Sequence, residues 1–384
     1  GTVLNIDKVS MSDNFYHLGG DSIKAIQIAS KLNDKGLKIK VKEILSHPVI
    51  EEMSLYLKQD ERDNLPSQET CQGSIKSTPI VEWFFSQNFK NPKHYNQSLL
   101  LDLKQDIEIG KLELILNEII KHHDSLRINY DSQKQQLFYN NDILTQKSTV
   151  EPFNLGEYTY EEQKSRMAQI GESVKSGFDI HKDSLIKACV FNLGENGKRL
   201  LLTAHHLVVD GISWRIILED MVSTLEQISG REDISLPSKT HSLQRWAENL
   251  YSYSKGEVLK EKQYWEAVDS DCHLIPTGHD LGRDSLESSH TLERELSEDE
   301  TQQLLLNTNV AYGTEPKDLL LTSLAMTICD IYKKNEFVIE LEGHGREDIF
   351  DNFDISRTVG WFTSIYPVKL SVQGEDLSLH IKSI

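Results

Sequence analysis

The 384-residue sequence predicts a small all-α unit, residues 1–60, joined by a polar linker, 61–77, to a larger α/β unit in two halves, 78–235 and 236–384. Three observations predict this. Apolar residues in the first sixty positions recur at helical spacing. The stretch ERDNLPSQETCQGSIKS that follows is polar and has no period. From Thr78 onward, strand-length apolar runs alternate with amphipathic stretches, and a second polar stretch, SGREDISLPSKT (229–240), divides them.

The elements follow in order. Asp21-Ser22 comes after Gly19-Gly20 and opens a helix with Ile23, Ile26, Ala29 and Leu32 three apart. Gly36 suits its C-terminal cap. Pro48 is placed to begin another helix, with Ile50, Met53 and Leu57 on one face. LLLDL (99–103) reads as a strand and 107–121 as an amphipathic helix with Leu112, Leu116 and Ile119 inward. LIKACVFNL (185–193) and RLLLTAHHL (199–207), separated by GENGK, spell a hairpin. ISWRIILEDMVSTLEQI then forms a strong helix. In the second half, helices are expected near 298–309 and 316–333, and strands at 337–343 and 362–370.

Composition narrows the function. Hydrophobic residues make up 38% and charged residues 26%, and mean hydropathy is −0.44, a soluble globular profile. No apolar run is long enough for a membrane helix, and the start of the chain has no secretory pattern. The net charge of −19 disfavours nucleic-acid backbones and anionic lipid. Residues 1–60 are neutral, with eight Lys against five Asp and three Glu, so the large unit carries the acidic excess. Cys71, Cys189, Cys272 and Cys329 show no ligand spacing, and reduced thiols in the cytoplasm are the default.

Three segments carry chemistry. In LGGDSI (18–23), Ser22 stands at a helix start. It is either a helix cap or a hydroxyl exposed for modification, where helix amides favour an incoming phosphate. In HHLVVDG (205–211), adjacent histidines on a strand point to opposite faces, which sets one metal ion against binding both. A general base facing a cleft ranks first, with Asp210 fixing the local structure. A core histidine ranks second and a metal site third. KHHD (121–124) pairs histidines in the same way, and a solvated helix end explains it. The segment ELEGHGRE (340–347) is either a charged turn or presents one of its carboxylates to a cleft. Arg346 would hold its geometry or lower its pKa.

Taken together, these motifs resemble a carrier–epimerization pairing of nonribosomal peptide synthetases. FYHLGGDSI (15–23) resembles a peptidyl carrier core. TPIVEWFF (78–85), HHLVVDGISW (205–214), LEGHGRE (341–347) and RTVGWFTSIYPV (357–368) resemble, in order, motifs of an epimerization domain, a relative of condensation domains. KHHDSLR (121–127) is loosely similar to a structural motif of that superfamily. The resemblance implies a chloramphenicol-acetyltransferase-like α/β fold of two lobes in a V with the site between them. It implies 4′-phosphopantetheine on Ser22 and no metal. It implies L-to-D inversion of a tethered aminoacyl or peptidyl thioester, with His206 and Glu342 on opposite lobes. His205 would be structural, Asp210 would position the loop through Arg346, Gly211 would permit a tight turn and Trp214 would pack as core. Expected partners are an upstream adenylation domain, a downstream condensation domain and a phosphopantetheinyl transferase. A helix before residue 1, and strands with a tyrosine motif after Ile384, complete the resembling domains. A condensation domain with its carrier, and an inactive carrier or docking fragment, remain as alternatives.

Overall fold

The computed structural model describes residues 3–384 except 5, 34, 60–65, 271–288, 309–310, 373 and 375. Cys272 and the first part of the predicted linker lie outside the described residues.

The N-terminal unit contains α1 (Ser22–Asn33), β1 (Leu37–Lys38), α2 (Val41–Ser46), α3 (Ile50–Ser54) and β2 (Lys58–Gln59). Its own core is Phe15, Ala25, Ile39, Ile44 and Met53. Asp21, not Ser22, caps α1: its Oδ1 accepts from the Lys24 N–H at 2.7 Å, which leaves Ser22 as the first helical residue. Gly36 follows α1 with φ +73°, the left-handed conformation predicted for it. The next predicted helix starts at Ile50, because the Pro48 carbonyl is committed to the Phe15 N–H at 2.7 Å. The six-residue α2 is too short to show a period in the sequence.

The first half of the large unit begins with β3 (Ser74–Ile75), inside the segment read as linker. Ile75 is buried, the Cys71 N–H donates to Asp124 Oδ1, and Gln68 bonds Lys239. Polar composition hid this attachment, since most of its contacts are hydrogen bonds rather than apolar burial. Then come α4 (Pro79–Ser86), β4 (Asn96–Leu103), α5 (Ile109–His122), β5 (Ile128–Asp131), β6 (Gln136–Tyr139) and β7 (Val150–Asn154). They are followed by α6 (Tyr160–Ser176), β8 (Ile186–Asn192), β9 (Lys198–His205) and α7 (Gly211–Gly230). One sheet has the order β4-β9-β8-β7, and a smaller one β3-β6-β5. The predicted hairpin is β8–β9, in register from Ile186↔Ala204 to Asn192↔Lys198. β7 runs parallel to β8, joined through α6.

The second half holds α8 (Leu243–Tyr253), α9 (Lys262–Ser270), α10 (Glu298–Gln302), α11 (Pro316–Tyr332), β10 (Glu336–Gly343), β11 (Ser364–Ser371) and α12 (Leu377–Ser383). α10 continues through Gln303–Asn307 as a π-helical turn. β10 and β11 are antiparallel from Glu336↔Ser371 to Gly343↔Ser364. The halves are two α/β lobes, each with its own sheet. The main core crosses between them: Trp246, Ile355, Val359, Trp361 and Phe362 join the cluster built on β4, β8, β9, α5 and α7.

The small unit docks on the large one through α1 and α2. Ile26 of α1 packs into the main core, and Gln27, with its amide oriented to suit, accepts from Arg215 Nε at 2.9 Å and Nη1 at 3.1 Å. At the start of α2, Lys40 Nζ meets Asp351 at 2.8 Å and the Val41 N–H donates to Asp348 at 2.8 Å. The middle of α1 therefore lies against the first turns of α7, the helix that follows the histidine motif.

Candidate active site

The site is built where β9 ends beside the start of β4. The register Asn96↔His205 continues one residue on, and the His206 N–H donates to the Tyr95 carbonyl at 2.9 Å. With a period of two, Tyr95 and Gln97 share the face of His206, and His205 takes the other.

His205 is fully buried. Its Nε2 donates to the Pro92 carbonyl at 2.8 Å and its Nδ1 accepts from the Leu207 N–H at 3.2 Å, so both nitrogens are committed to backbone. Burial pushes its pKa down to about 4. No metal can use this ring without breaking those bonds.

His206 is half-buried. Its ring packs against both Tyr95 (centroids 5.3 Å) and Trp361 (4.4 Å), which also contact each other at 5.8 Å. Burial lowers its pKa, and the carbonyls of His206 and Val209 together with the charges of Asp210 and Glu342 oppose that shift. Gln97 Nε2 sits 2.8 Å from His206 Nε2. Glu342 comes from the other lobe, on β10 opposite Ile365, and is exposed. Its charge also raises the pKa of Tyr95, adding to the effect of burial.

Asp210 and Arg346, singled out in separate motifs, form the joint beneath the site. Arg346 Nη2 donates to both Asp210 carboxylate oxygens at 3.0 Å, and Nη1 donates to the carbonyls of Ile355 (3.0 Å) and Thr358 (2.6 Å). Asp210 also caps α7 through the Ser213 N–H at 2.7 Å and accepts from the Phe362 N–H at 3.2 Å. The Ser213 hydroxyl donates to Asp210 and accepts from the Gly360 N–H at 3.0 Å. One carboxylate thus ties the histidine loop to two segments of the second lobe. Gly345 permits that approach: its φ is +65°, and a Cβ there would lie 1.7 Å from the Phe362 carbonyl oxygen.

Two expectations need correction. A Cβ on Gly211 would meet nothing within 4 Å, and its φ is not left-handed, so no tight turn depends on it; it is the first residue of a regular helix. Trp214 is buried as expected but is not core alone, because its indole N–H donates to Gln97 Oε1 at 2.9 Å.

The KHHD segment is not a solvated helix end. His123 is buried and meets Asp220 at 2.9 Å; Asp124 pairs with the fully buried Arg127 and with Lys239 at 2.8 Å. Arg357 of the second lobe closes on Asp220. The polar sequence concealed a buried network whose charges satisfy one another. Among the described residues, His122, His123 and Asp220 bring ligand atoms within 4.8 Å, but Asp220 already pairs with Arg357 and His123.

Tyr95, Gln97 and Trp361 were not singled out as site residues. The only signal in the sequence is positional: Tyr95 and Gln97 alternate into the strand preceding LLLDL, and Trp361 lies within RTVGWFTS.

Residues 72–384 match the Condensation domain family, and residues 1–57 match the phosphopantetheine attachment site family. The chain is 37% identical over its full length to surfactin synthase subunit 1 of Bacillus subtilis, of which it spans 11%. It is also 37% identical over 99% of its length to gramicidin S synthase 1 of Brevibacillus brevis, of which it spans 35%. It thus covers about a tenth to a third of these relatives. Among solved structures, the epimerization domain from the third module of tyrocidine synthetase B superposes with a TM-score of 0.77 at 34% identity, covering 83% of this chain and 72% of that one. The first condensation domain of the calcium-dependent antibiotic synthetase shares the fold, with a TM-score of 0.65 at 16% identity, over 82% of this chain and 73% of that one. The chain therefore belongs to the condensation-domain family of nonribosomal peptide synthetases and carries a phosphopantetheine-attachment domain ahead of it.

Proposed function

We propose that the large unit inverts the α-carbon of an aminoacyl or peptidyl thioester carried on Ser22, an isomerase reaction of the amino-acid racemase and epimerase type. The observation that carries this reading is the imidazole of His206 and the carboxylate of Glu342, contributed by different lobes and near enough for one charge to bear on the other. The 34% identity to an epimerization domain supports it further.

The start of α1 fits a phosphopantetheine attachment. Gly20 is required there, since a Cβ would lie 2.5 Å from Phe15, and the start of a 12-residue helix favours a phosphate. When attached, the group holds the substrate as a thioester, which acidifies the α-C–H. His206 and Glu342 then divide the proton work: one removes the α-proton from one face, the other returns a proton to the opposite face, and the reverse reaction exchanges the roles. Tyr95 and Trp361 wall the imidazole and limit water. Asp210 and Arg346 hold the two lobes at fixed separation, His205 anchors the strand end, and no metal takes part.

In this reading an upstream adenylation domain selects the amino acid, a phosphopantetheinyl transferase modifies Ser22, and a downstream condensation domain takes the D product. The chain works in the cytoplasm. The test is chirality. The chain is loaded at Ser22 with L-aminoacyl-phosphopantetheine, incubated, cleaved and resolved, in parallel with a D-loaded sample. The reading predicts one common L/D mixture from both. Pure L recovered from several side chains would contradict it. The Condensation domain match over residues 72–384 favours a second reading, peptide-bond formation with an acceptor carrier, in which the α-carbon keeps its configuration. An inactive carrier or docking fragment would load and do neither.

A further inference from the structure

Gln97 stands between two groups that leave its amide a single orientation. The Trp214 indole Nε1–H is a donor only and lies 2.9 Å from Gln97 Oε1, so the oxygen must face Trp214. The amide nitrogen is thereby turned to His206 Nε2 at 2.8 Å. An amide N–H can only donate, so Nε2 must accept, and the neutral ring must carry its proton on Nδ1. Nδ1 is buried and makes no hydrogen bond, so no second contact competes with Gln97 for the choice of tautomer.

We propose that Gln97, held by Trp214, is a positioning residue that fixes His206 as the Nδ1–H tautomer and so leaves the lone pair on Nε2. This rests on His206 being the proton-transfer group of the reading above. The lone pair on Nε2 is what a base needs, and the amide holds its place until the substrate α-C–H takes it. The ionisable groups near His206 are Tyr95, Asp210 and Glu342, with His205 next to it in the chain on the opposite face of the strand. Among the described residues none of these groups hydrogen-bonds a ring nitrogen of His206, whereas Gln97 does.

The test reads the tautomer directly. The full chain, not loaded with substrate, is labelled with 15N-histidine, and the His206 ring signals are assigned by their loss in His206→Gln. The expected result is a protonated Nδ1 and an unprotonated Nε2 in the wild type. In Gln97→Ala, the balance shifts toward Nε2–H. Trp214→Phe keeps the packing and frees the amide, and is expected to shift it in the same direction if Gln97→Ala fails to fold. Gln97→Glu is expected to keep the Trp214 contact, hold a proton on Nε2 and raise the His206 pKa by at least about one unit. On loaded protein, Gln97→Ala should lower the isomerisation rate on the order of tenfold with substrate affinity unchanged, less than the ~10²–10⁴-fold loss expected on removing the base itself. A wild-type ring protonated on Nε2, or a tautomer that ignores both Gln97→Ala and Trp214→Phe, overturns the proposal. The expected tautomer in a wild-type chain that isomerises nothing would uphold the positioning role and overturn the epimerase reading instead.

Discussion

At the scale of single residues, Asp210 and Arg346 are both buried, and each supplies what the other lacks. Removing one leaves an uncompensated buried charge, which costs about 3–5 kcal/mol. Arg346→Met or Asp210→Ala should lower the urea midpoint accordingly, and a loss below ~1 kcal/mol would show that the joint contributes little. Gly345→Ala should destabilise by at least ~2 kcal/mol through its left-handed φ and the Phe362 carbonyl. Gly211→Ala should be close to neutral, since its Cβ meets open space.

Histidine titration sets two pH effects at the same scale. The folded-state pKa of His205 is about 4, below its unfolded value of 6.5. A histidine with a depressed pKa contributes stability above pH 6.5 that is lost as pH falls toward 4, because only the unfolded chain takes up the proton. The loss amounts to roughly 3 kcal/mol. Urea midpoints measured from pH 7 to 4.5 should fall, and His205→Asn should flatten the fall. The pKa of His206 is also lowered by burial, which in the proposed reaction keeps it neutral below the ordinary histidine range. The acid limb of the single-turnover rate should therefore have its midpoint under pH 6.5; a midpoint above that value would contradict the burial argument.

The histidine motif was legible in the sequence because adjacent histidines on a strand must part company, and the structure commits one to backbone. Gln97 was not legible. Its importance comes from a partner 117 positions away, and no local pattern encodes that distance.

At the scale of elements, strands and helices with strong periods were legible, and those held by cross-chain pairing were not. The β8–β9 hairpin, α5 and α7 each carry their own signal. β3, β5, β6 and β7 span two to five residues and take their identity from neighbours in the sheet. The docking of α1 and α2 was equally hidden, since it depends on Asp348 and Asp351 in the far half. The Lys40–Asp351 pair is exposed, with Asp351 at 88% side-chain accessibility, so solvent screens it and it suits a contact that must release. Lys40→Glu should slow isomerisation of a substrate tethered to Ser22, leave a soluble aminoacyl thioester unaffected, and be rescued by Asp351→Lys. Equal slowing of both substrates would place the effect elsewhere than docking.

At the scale of the whole molecule, two lobes share one core and meet at the Asp210–Arg346 and Asp220–Arg357 ion pairs, while a small unit with its own core docks on them. That arrangement holds the His206 and Glu342 side chains on different lobes, as the proposed two-faced proton transfer requires. The measurement that tests this most directly is α-proton exchange in D2O, on chains loaded with L or with D aminoacyl groups, in wild type, His206→Gln and Glu342→Gln. The wild type should take up deuterium while inverting from either isomer. Each variant should stop inverting yet exchange the α-proton of one isomer only, and the two variants should choose opposite isomers. Wild-type inversion in both variants, or exchange of the same isomer by both, would contradict a proton carried by His206 on one face and Glu342 on the other.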